Sequence, residues 1–586
     1  MTRAGASWIS AAFAAVLILL LLLPGLGWAP FDDPGEGQHA EIAREAWASG
    51  DLFDLRLNGV RYFDKPPLLY WLIALDFGAW GVSEWAARLP SVLGAAVAAA
   101  ATALLGARLL NPSAGLLAGA ALSSCALFLV FGRYVRPETL FVAAIQLGLT
   151  GLLLGLRGEG RGASRRWAVI GCASLGVAAL AKDPLGLLAP LAATGAALAL
   201  CGRLRPLRGW LPPTGVALML LLGLGWYAWS ALRHPGYLWY TVVDNHILNA
   251  AGLRRFPDED VPLAAAEFLA VSALGAFPWI VAAAGAVASL IRRRAWRNPD
   301  EAPWVALALW VLGLWALFTV SAFRLPHYGL PAYPAIALLA ARWWTEDASS
   351  GRTPALIHLM LFAPFAIALG LVAMGDGGAF MDAVFSATDV YTRKEAAGAQ
   401  ASPLPPWSAL QPLVARTALI LAAGAATLAL CAWRRAGRWT GAVVAATMLA
   451  VTPSAIHALE LVAAGRAVAG MAAEVRHLAA PDSLLAHEGA IENSGALELY
   501  SGRRPILVDA RRSVLGIGAT FPDTAGVFWT KEGLRDAWLS GRQVLLVTPR
   551  DPGRSVVAAL PPDRVKLVRV ENGRWLYTSV PARLNR

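Results

Sequence analysis

Apolar runs long enough to cross a bilayer dominate the first 460 positions, and the breaks between them are short, polar and unevenly charged. A helix needs about 20 apolar residues to span a ~30 Å hydrocarbon core. The run at 8–28 meets this, and further runs fall at 90–107, 114–132, 139–156, 167–181, 185–201, 211–232, 262–291, 304–322, 329–344, 355–374, 412–433 and 439–460. Together they predict about thirteen membrane helices in a mainly α, polytopic protein. Arg3 precedes the first run and no small-residue cleavage site follows it, so it reads as an uncleaved span with a cytoplasmic N-terminus.

The polar breaks separate into two sets. Arg157, Arg161, Arg165 and Arg166; Arg203, Arg205 and Arg208; Arg292, Arg293, Arg294 and Arg297; and Arg434, Arg435 and Arg438 lie in breaks an even number of spans apart. The positive-inside rule assigns them all to the cytoplasm and leaves the alternate loops outside. The first outside loop, 31–88, is dense in carboxylates, which a simple connector does not need. Within it HAEIAREAWASG has helical spacing ending at Gly50, and LLYWLIALDFGAW suits a helix lying at the interface. After 460 the periodicity changes. AVAGMAAEVRHLAA reads as a helix, and SLLAHE, PILVD, QVLLVTP and RVKLVRVENGRWLYTSV read as short strands between Gly, Pro and Asp turns. The expected division is a membrane domain over 1–460 and a small external α/β domain over 461–586.

Composition agrees with the pattern: of 586 residues 57% are hydrophobic and 15% charged. The net charge of +11 resides largely in the arginine-rich breaks, so it reads as a topology signal and excludes nucleic acid as the expected partner. Cys125, Cys172, Cys201 and Cys431 all fall in apolar runs, as buried thiols do, and indicate no disulfide framework.

Candidate chemistry gathers in the outside loops. Asp33 and Glu36 stand just past the first span. Acids there commonly cap a helix or mark the interface, but a carboxylate partly stripped of water at the membrane surface also suits a general base. Asp64 and Lys65 in YFDKPPLLYW pair an acid with a cation ahead of two prolines, an arrangement suited to a metal or base beside a phosphate. Glu138 in RYVRPE enters a span and needs a partner, which Arg133 or Arg136 could supply. Lys182 in ALAKDPLG stands beside Asp183 at a span end, where snorkelling is the plain alternative. The loop 233–262 carries His246, Arg254 and Arg255, and FRLPHYGLPAYP adds Arg324, His327 and Tyr328.

The AEIARE, YFDKPPLLYW, WAARLP, RPE, ALAKDPLG and FRLPHYGLPAYP blocks, in this order on alternate loops, resemble those of the polyprenyl-phosphate-dependent GT-C glycosyltransferases. The nearest type is the aminoarabinose transferases acting on lipid A, with the protein O-mannosyltransferases as cousins. The resemblance covers roughly the first 345 residues in detail. It implies a GT-C fold and a transferase that moves a sugar from a polyprenyl phosphate donor to a lipid, glycan or protein acceptor on the outer face of the cytoplasmic membrane, among membrane lipids and without a nucleotide cofactor. It further implies Glu36 and Glu138 as catalytic residues; Asp33 is the candidate to supply the family's other carboxylate from two residues before Gly35, and Lys65, Lys182, Arg254, Arg255 and Arg324 are candidates for the donor phosphate. Asp64 and His246 are then candidate ligands of a divalent metal ion. The chain departs from the family pattern at Gly35, where an Asp is usual, at Gln38 and His39, which replace an Arg-Tyr pair, and at Asp183, where a Gly is usual. Competing readings are a protein O-mannosyltransferase, a lipid or oligosaccharide transporter, whose ionisable groups would sit at mid-depth of its spans, and an inactive scaffold.

Overall fold

The computed structural model describes residues 3–156, 161–204, 207–347, 351–396, 403–510 and 512–579. Of the arginines in the cytoplasmic set, Arg157 and Arg205 lie outside the described residues.

The opening helix α1 (Arg3–Leu22) leads into the first loop, where α2 (Gly37–Ser49) stops at Gly50 in the left-handed conformation (φ 73°). A short hairpin, β1 (Arg56–Leu57) and β2 (Val60–Arg61), precedes α3 (Leu68–Trp80). Then follow α4 (Glu84–Leu109), α5 (Pro112–Ser123), α6 (Ala126–Gly132), α7 (Glu138–Gly155), α8 (Arg161–Ala181), α9 (Leu185–Leu200) and α10 (Pro213–Arg233). The next loop winds as α11 (Tyr237–Trp239), a π-helical stretch over Tyr240–Leu248, and α12 (Asn249–Ala251). The membrane part closes with α13 (Ala265–Gly275), α14 (Trp279–Arg292), α15 (Ala302–Val320), α16 (Tyr333–Arg342), α17 (Thr353–Met374), α18 (Gly378–Thr388), α19 (Val390–Ala396), α20 (Trp407–Trp433) and α21 (Thr440–Arg466).

Helices form in every run expected to span. Among the described residues eight helices are long and apolar enough to cross a membrane, and two bent pairs raise this to ten. The pair α5 and α6 bends by 70° at Ser124–Cys125, and α13 and α14 by 102° before Pro278. Of the other expected spans, α9 and α16 have 16 and 10 residues, and α8 begins among arginines that lower its hydropathy. Small residues allow tight packing of the bundle: a Cβ added at Gly151 would lie 2.5 Å from the Gly171 Cα, so α7 and α8 meet backbone to backbone. Large apolar side chains such as Leu20, Leu221, Val320 and Ile367 remain outward, as a lipid-facing surface requires.

Beyond α21, α22 (Ala469–Leu478) precedes a six-stranded sheet ordered β5-β4-β3-β6-β8-β7. Its strands are β3 (Leu484–Glu488), β4 (Ile506–Val508), β5 (Phe528–Trp529), β6 (Val544–Thr548), β7 (Lys566–Glu571) and β8 (Arg574–Thr578), with α23 (Leu497–Ser501) and α24 (Lys531–Leu539) between them. The β5, β4, β3 and β6 strands run parallel, while β8 pairs antiparallel with β6 and β7. Asn572 and Gly573, both at positive φ, turn the β7–β8 hairpin as an Asn-Gly pair should. The sheet shares one core with the first loop, in which Phe31, Ile42, Leu57 and Tyr70 pack among the same buried set as Val468, Leu485, Leu507 and Leu545.

Candidate active site

A cavity of about 460 Å³ opens where the first loop, the ends of α7 to α9, the π-helical loop and the 3₁₀ turn before α16 converge. Helix ends bring its charges together. Glu138 opens α7, where the positive helix end favours a carboxylate, and Lys182 follows the last residue of α8, where the negative end favours a cation. The two helices pack side by side, so Lys182 Nζ comes 3.4 Å from Glu138 Oε1. His327 Nε2 lies 3.3 Å from the same oxygen, and Arg136 Nε lies 3.6 Å from Oε2. Rings of Phe141 and Tyr328 flank the Lys182 ammonium at 5.6 and 5.2 Å.

On the facing wall, Pro66 and Pro67 fix the chain ahead of α3 and present Asp64 and Lys65 to the cavity. Lys65 Nζ bonds the Asp64 carboxylate, and Asn245 Nδ2 donates to its other oxygen at 3.2 Å. Burial alone would raise the Asp64 pKa, but the charges of Lys65 and Arg254 and these hydrogen bonds hold it well below the usual carboxylate range. Arg254 also reaches Asp258 Oδ2 at 3.0 Å. Burial and the neighbouring Asp260 push Asp258 up to about 6, while the Lys394 ammonium, 2.9 Å from Asp260, overcomes burial and lowers Asp260. Below these charges the lining turns apolar, with Leu185 and Ala189 of α9 opposite Trp310, Leu314, Leu317 and Phe318 of α15.

Of the residues expected from sequence, Asp64, Lys65, Lys182, His246 and Arg254 line this one cavity, and Glu138 braces it from behind. Glu36 and Asp33 do not line it. Glu36 Oε1 accepts from Arg88 Nε and from the Val135 amide, both at 2.9 Å, and Oε2 accepts from Arg88 Nη2 at 2.6 Å and the Asp32 amide at 3.1 Å. Asp33 accepts from the Ala496 amide at 3.1 Å and the Val468 amide at 3.3 Å, which fixes the C-terminal domain to the first loop. Burial pushes Asp33 up to about 7 against the pull of Arg574. Arg255 and Arg324 also lie off the cavity: Arg255 is exposed beside the Trp239 and Phe256 rings, and Arg324 Nη2 reaches only the Ala322 carbonyl at 3.5 Å. Asn245, Asp258 and Asp260 belong to the site without any sequence motif to mark them. Gln38 and His39, noted only as departures, also line it, and the buried Gln38 Oε1 and His39 Nε2 have no hydrogen-bond partner among the described residues. Burial, then Arg136, lower His39 to about 3, so its imidazole is neutral.

The same overall architecture is found in the crystal structure of ArnT from Cupriavidus metallidurans bound to undecaprenyl phosphate, with a TM-score of 0.78 at 21% identity over 98% of both chains. The apo structure of that protein aligns at 0.79, covering 98% of this chain and 97% of the other. The chain has the GT-C fold. Residues 64–229 of this chain match the family model described as dolichyl-phosphate-mannose-protein mannosyltransferase, a stretch that starts at Asp64 and includes Glu138 and Lys182. Curated relatives include the undecaprenyl phosphate-alpha-4-amino-4-deoxy-L-arabinose arabinosyl transferase of Pseudomonas aeruginosa PAO1, 29% identical over 327 residues, 55% of this chain and 57% of the relative. The enzyme of the same name from Edwardsiella ictaluri is 28% identical over 61% of this chain and 63% of its own. The chain thus spans somewhat over half the length of the curated relatives it matches.

Proposed function

We propose that the protein is a glycosyltransferase that takes a sugar from a polyprenyl phosphate donor and passes it to a lipid, glycan or protein hydroxyl at the outer face of the cytoplasmic membrane. The observation that carries this is the convergence of Lys65, Arg136, Lys182 and Arg254 on a cavity whose deeper lining is apolar. Cations suit the donor phosphate, and the α9–α15 wall suits the prenyl chain. The names of the relatives and of the lipid bound to ArnT support the donor class.

In the proposed reaction the bond from the sugar anomeric carbon to the phosphate oxygen breaks, and its electron pair leaves on the phosphate, where Lys65, Lys182 and Arg254 balance the charge. The acceptor oxygen forms the new bond to that carbon, and its proton passes to a cavity carboxylate. Asp258 fills this role best, since a base works best when its pKa lies near the operating pH. Glu138 holds Lys182, Arg136 and His327 in place and serves as a positioning residue. Ionisable groups at helix ends rather than at mid-span favour transfer over transport.

Asp64 and His246 are the residues that would hold a divalent cation here. Asp64 is held ionised, and His246 Nδ1 donates to the Thr241 carbonyl at 2.5 Å, which leaves Nε2 as the lone-pair nitrogen a metal takes. When bound there, the ion would add positive charge beside the donor phosphate. Among the described residues the cluster able to offer three ligands is instead Glu41, Glu45 and Glu498, already neutralised by Arg44 and Arg504. The proposed orientation sets the N-terminus in the cytoplasm and the C-terminal domain outside, from the arginine pattern.

The test is sugar release from a synthetic polyprenyl-phosphate sugar by the purified full chain in detergent. Donor turnover by the wild type is expected, with a raised donor KM in Lys182→Met. Folded wild-type protein inert toward every such donor and acceptor extract would overturn the reading.

A further inference from the structure

With the prenyl chain along the apolar α9–α15 wall and the phosphate among Lys65, Lys182 and Arg254, the sugar of the donor is left the wall built by the first turn of α2. Gln38 and His39 line the cavity there. The charges that act on His39 are those of Arg136, Glu138, Lys65 and Asp64, so its ring stands within a sugar's reach of the phosphate ligands.

Two buried polar atoms in this wall lack a partner. Gln38 and His39 are 9% and 2% exposed, and Gln38 Oε1 and His39 Nε2 have no hydrogen-bond partner among the described residues. Buried polar groups are costly to leave unpaired, and in a cavity wall they mark where the polar groups of a ligand dock. The fold holds both in place. A Cβ at Gly495 would collide with the Gln38 backbone, so the first turn of α2 rests directly on the C-terminal domain, and His39 Nδ1 is tied to the Tyr70 hydroxyl at 2.9 Å. Tyr62 donates to Tyr70, which turns the Tyr70 proton toward Nδ1 and leaves the imidazole proton of His39 on Nε2. The wall therefore offers one acceptor, Gln38 Oε1, beside one donor, His39 Nε2–H. A hydroxyl both donates and accepts, and satisfies the two together. An ammonium only donates, leaves Nε2–H unmet, and stands against Arg136, the foremost charge acting on His39.

We propose that Gln38 and His39 together grip one hydroxyl of the donor sugar and so select a sugar bearing a hydroxyl at that position over one bearing an ammonium. Resting on the function proposed above, this assigns the residues that read the sugar, apart from those that hold its phosphate.

The experiment measures affinities of the full chain in nanodiscs, by isothermal titration, for bare polyprenyl phosphate, for polyprenyl-phosphate glucose, and for forms of that glucose donor deoxygenated or aminated at each hydroxyl carbon in turn. At one position both altered donors are expected to bind wild type about 10- to 100-fold more weakly than the parent. Gln38→Leu and His39→Phe should close most of that gap by weakening the parent, while bare polyprenyl phosphate binds them as it binds wild type. Gln38→Glu, which sets a carboxylate opposite the ammonium, should bring the amino form level with the parent or above it. Equal affinities for parent, deoxy and amino donors at every position, no binding of any of them, or a Gln38→Leu loss as large for bare polyprenyl phosphate as for the glucose donor would overturn the inference. Turnover is recorded separately: binding without turnover counts against the transferase reading and leaves the selectivity standing, whereas turnover with equal affinities overturns the selectivity alone.

Discussion

Glu36→Gln separates the structure from the sequence-level expectation of a catalytic acid. Glu36 is 1% exposed and accepts four hydrogen bonds, two from Arg88 and one each from the Asp32 and Val135 amides. Glutamine keeps one oxygen, so two of those donors would face an NH₂ group, and Arg88 would lose the counter-charge that Glu36 supplies at 2.6 Å. Two lost charge-assisted bonds correspond to roughly 3–6 kcal/mol, in line with the ~3–5 kcal/mol of a buried pair broken on one side. Arg88 also donates to the carbonyls of Leu26, Ala29 and Pro30, so the loosened region is the junction of α1 with the first loop. The assay is thermal unfolding in detergent beside donor turnover per folded molecule. The expected result is a clearly lowered midpoint, with the surviving folded fraction turning over as wild type. An unchanged midpoint with turnover abolished would refute the argument and restore Glu36 as a reacting group.

Lys182→Met should raise the donor KM about 10- to 150-fold, the weight of one charge-assisted bond to phosphate, as read by initial rates over donor concentration. For Asp258→Asn the turnover number should fall by about 10²–10⁴. The wild-type rate should fall as pH drops through about 6, because the base must be ionised, and the residual rate of the variant should lack that limb. Glu492, buried with Oε2 unpartnered among the described residues, is raised to about 8 by burial despite Lys394. Its folded form favours the proton, so its ionisation destabilises the fold progressively from about pH 4.5 to 8. Accordingly, Glu492→Gln should unfold at a higher temperature than wild type at pH 8.5, and the difference should shrink at pH 5. His246→Ala should lower the divalent metal retained after dialysis, measured by elemental analysis; equal metal content in both proteins would remove His246 as a ligand.

The helices were legible where local signals suffice. The interfacial segment LLYWLIALDFGAW is α3 to the residue, and Gly50 ends α2 because only glycine takes that left-handed position cheaply. The bends within spans were not legible, because hydropathy does not register a bend: α5 and α6 read as one run although Ser123, Ser124 and Cys125 interrupt it, and Pro278 marked a break that the surrounding apolar residues concealed. The strands of the C-terminal sheet followed their alternation, whereas β5, two residues long, and the charged α24 escaped it. The site divides the same way. Asp64 and Lys182 were visible through prolines and span ends. Asp258 and Asn245 reach the cavity only because the loop after α10 folds back over it, a contact no local pattern encodes.

The acid-rich first loop was the strongest sequence signal and the most ambiguous, and the packing explains why. A Cβ at Gly35 would lie 2.6 Å from the Tyr134 ring, so the space an acid would need there is filled by an aromatic side chain. Glu36 is spent on Arg88, Asp33 on the amides of Val468 and Ala496, and Glu84 accepts from the Tyr500 hydroxyl at 2.6 Å. Arg44 links Glu41 to Glu498, and Arg56 and Arg61 meet Asp523. These pairs cross between residues more than 400 positions apart and join the loop and the sheet into one platform. Carboxylates bound in this way hold the floor and walls of the site. In the proposed reaction the base must therefore come from a different segment, and of Asp64, Asp258 and Asp260 in the cavity, Asp258, opposite Asp64 across Arg254, is the one that burial and a neighbouring acid raise.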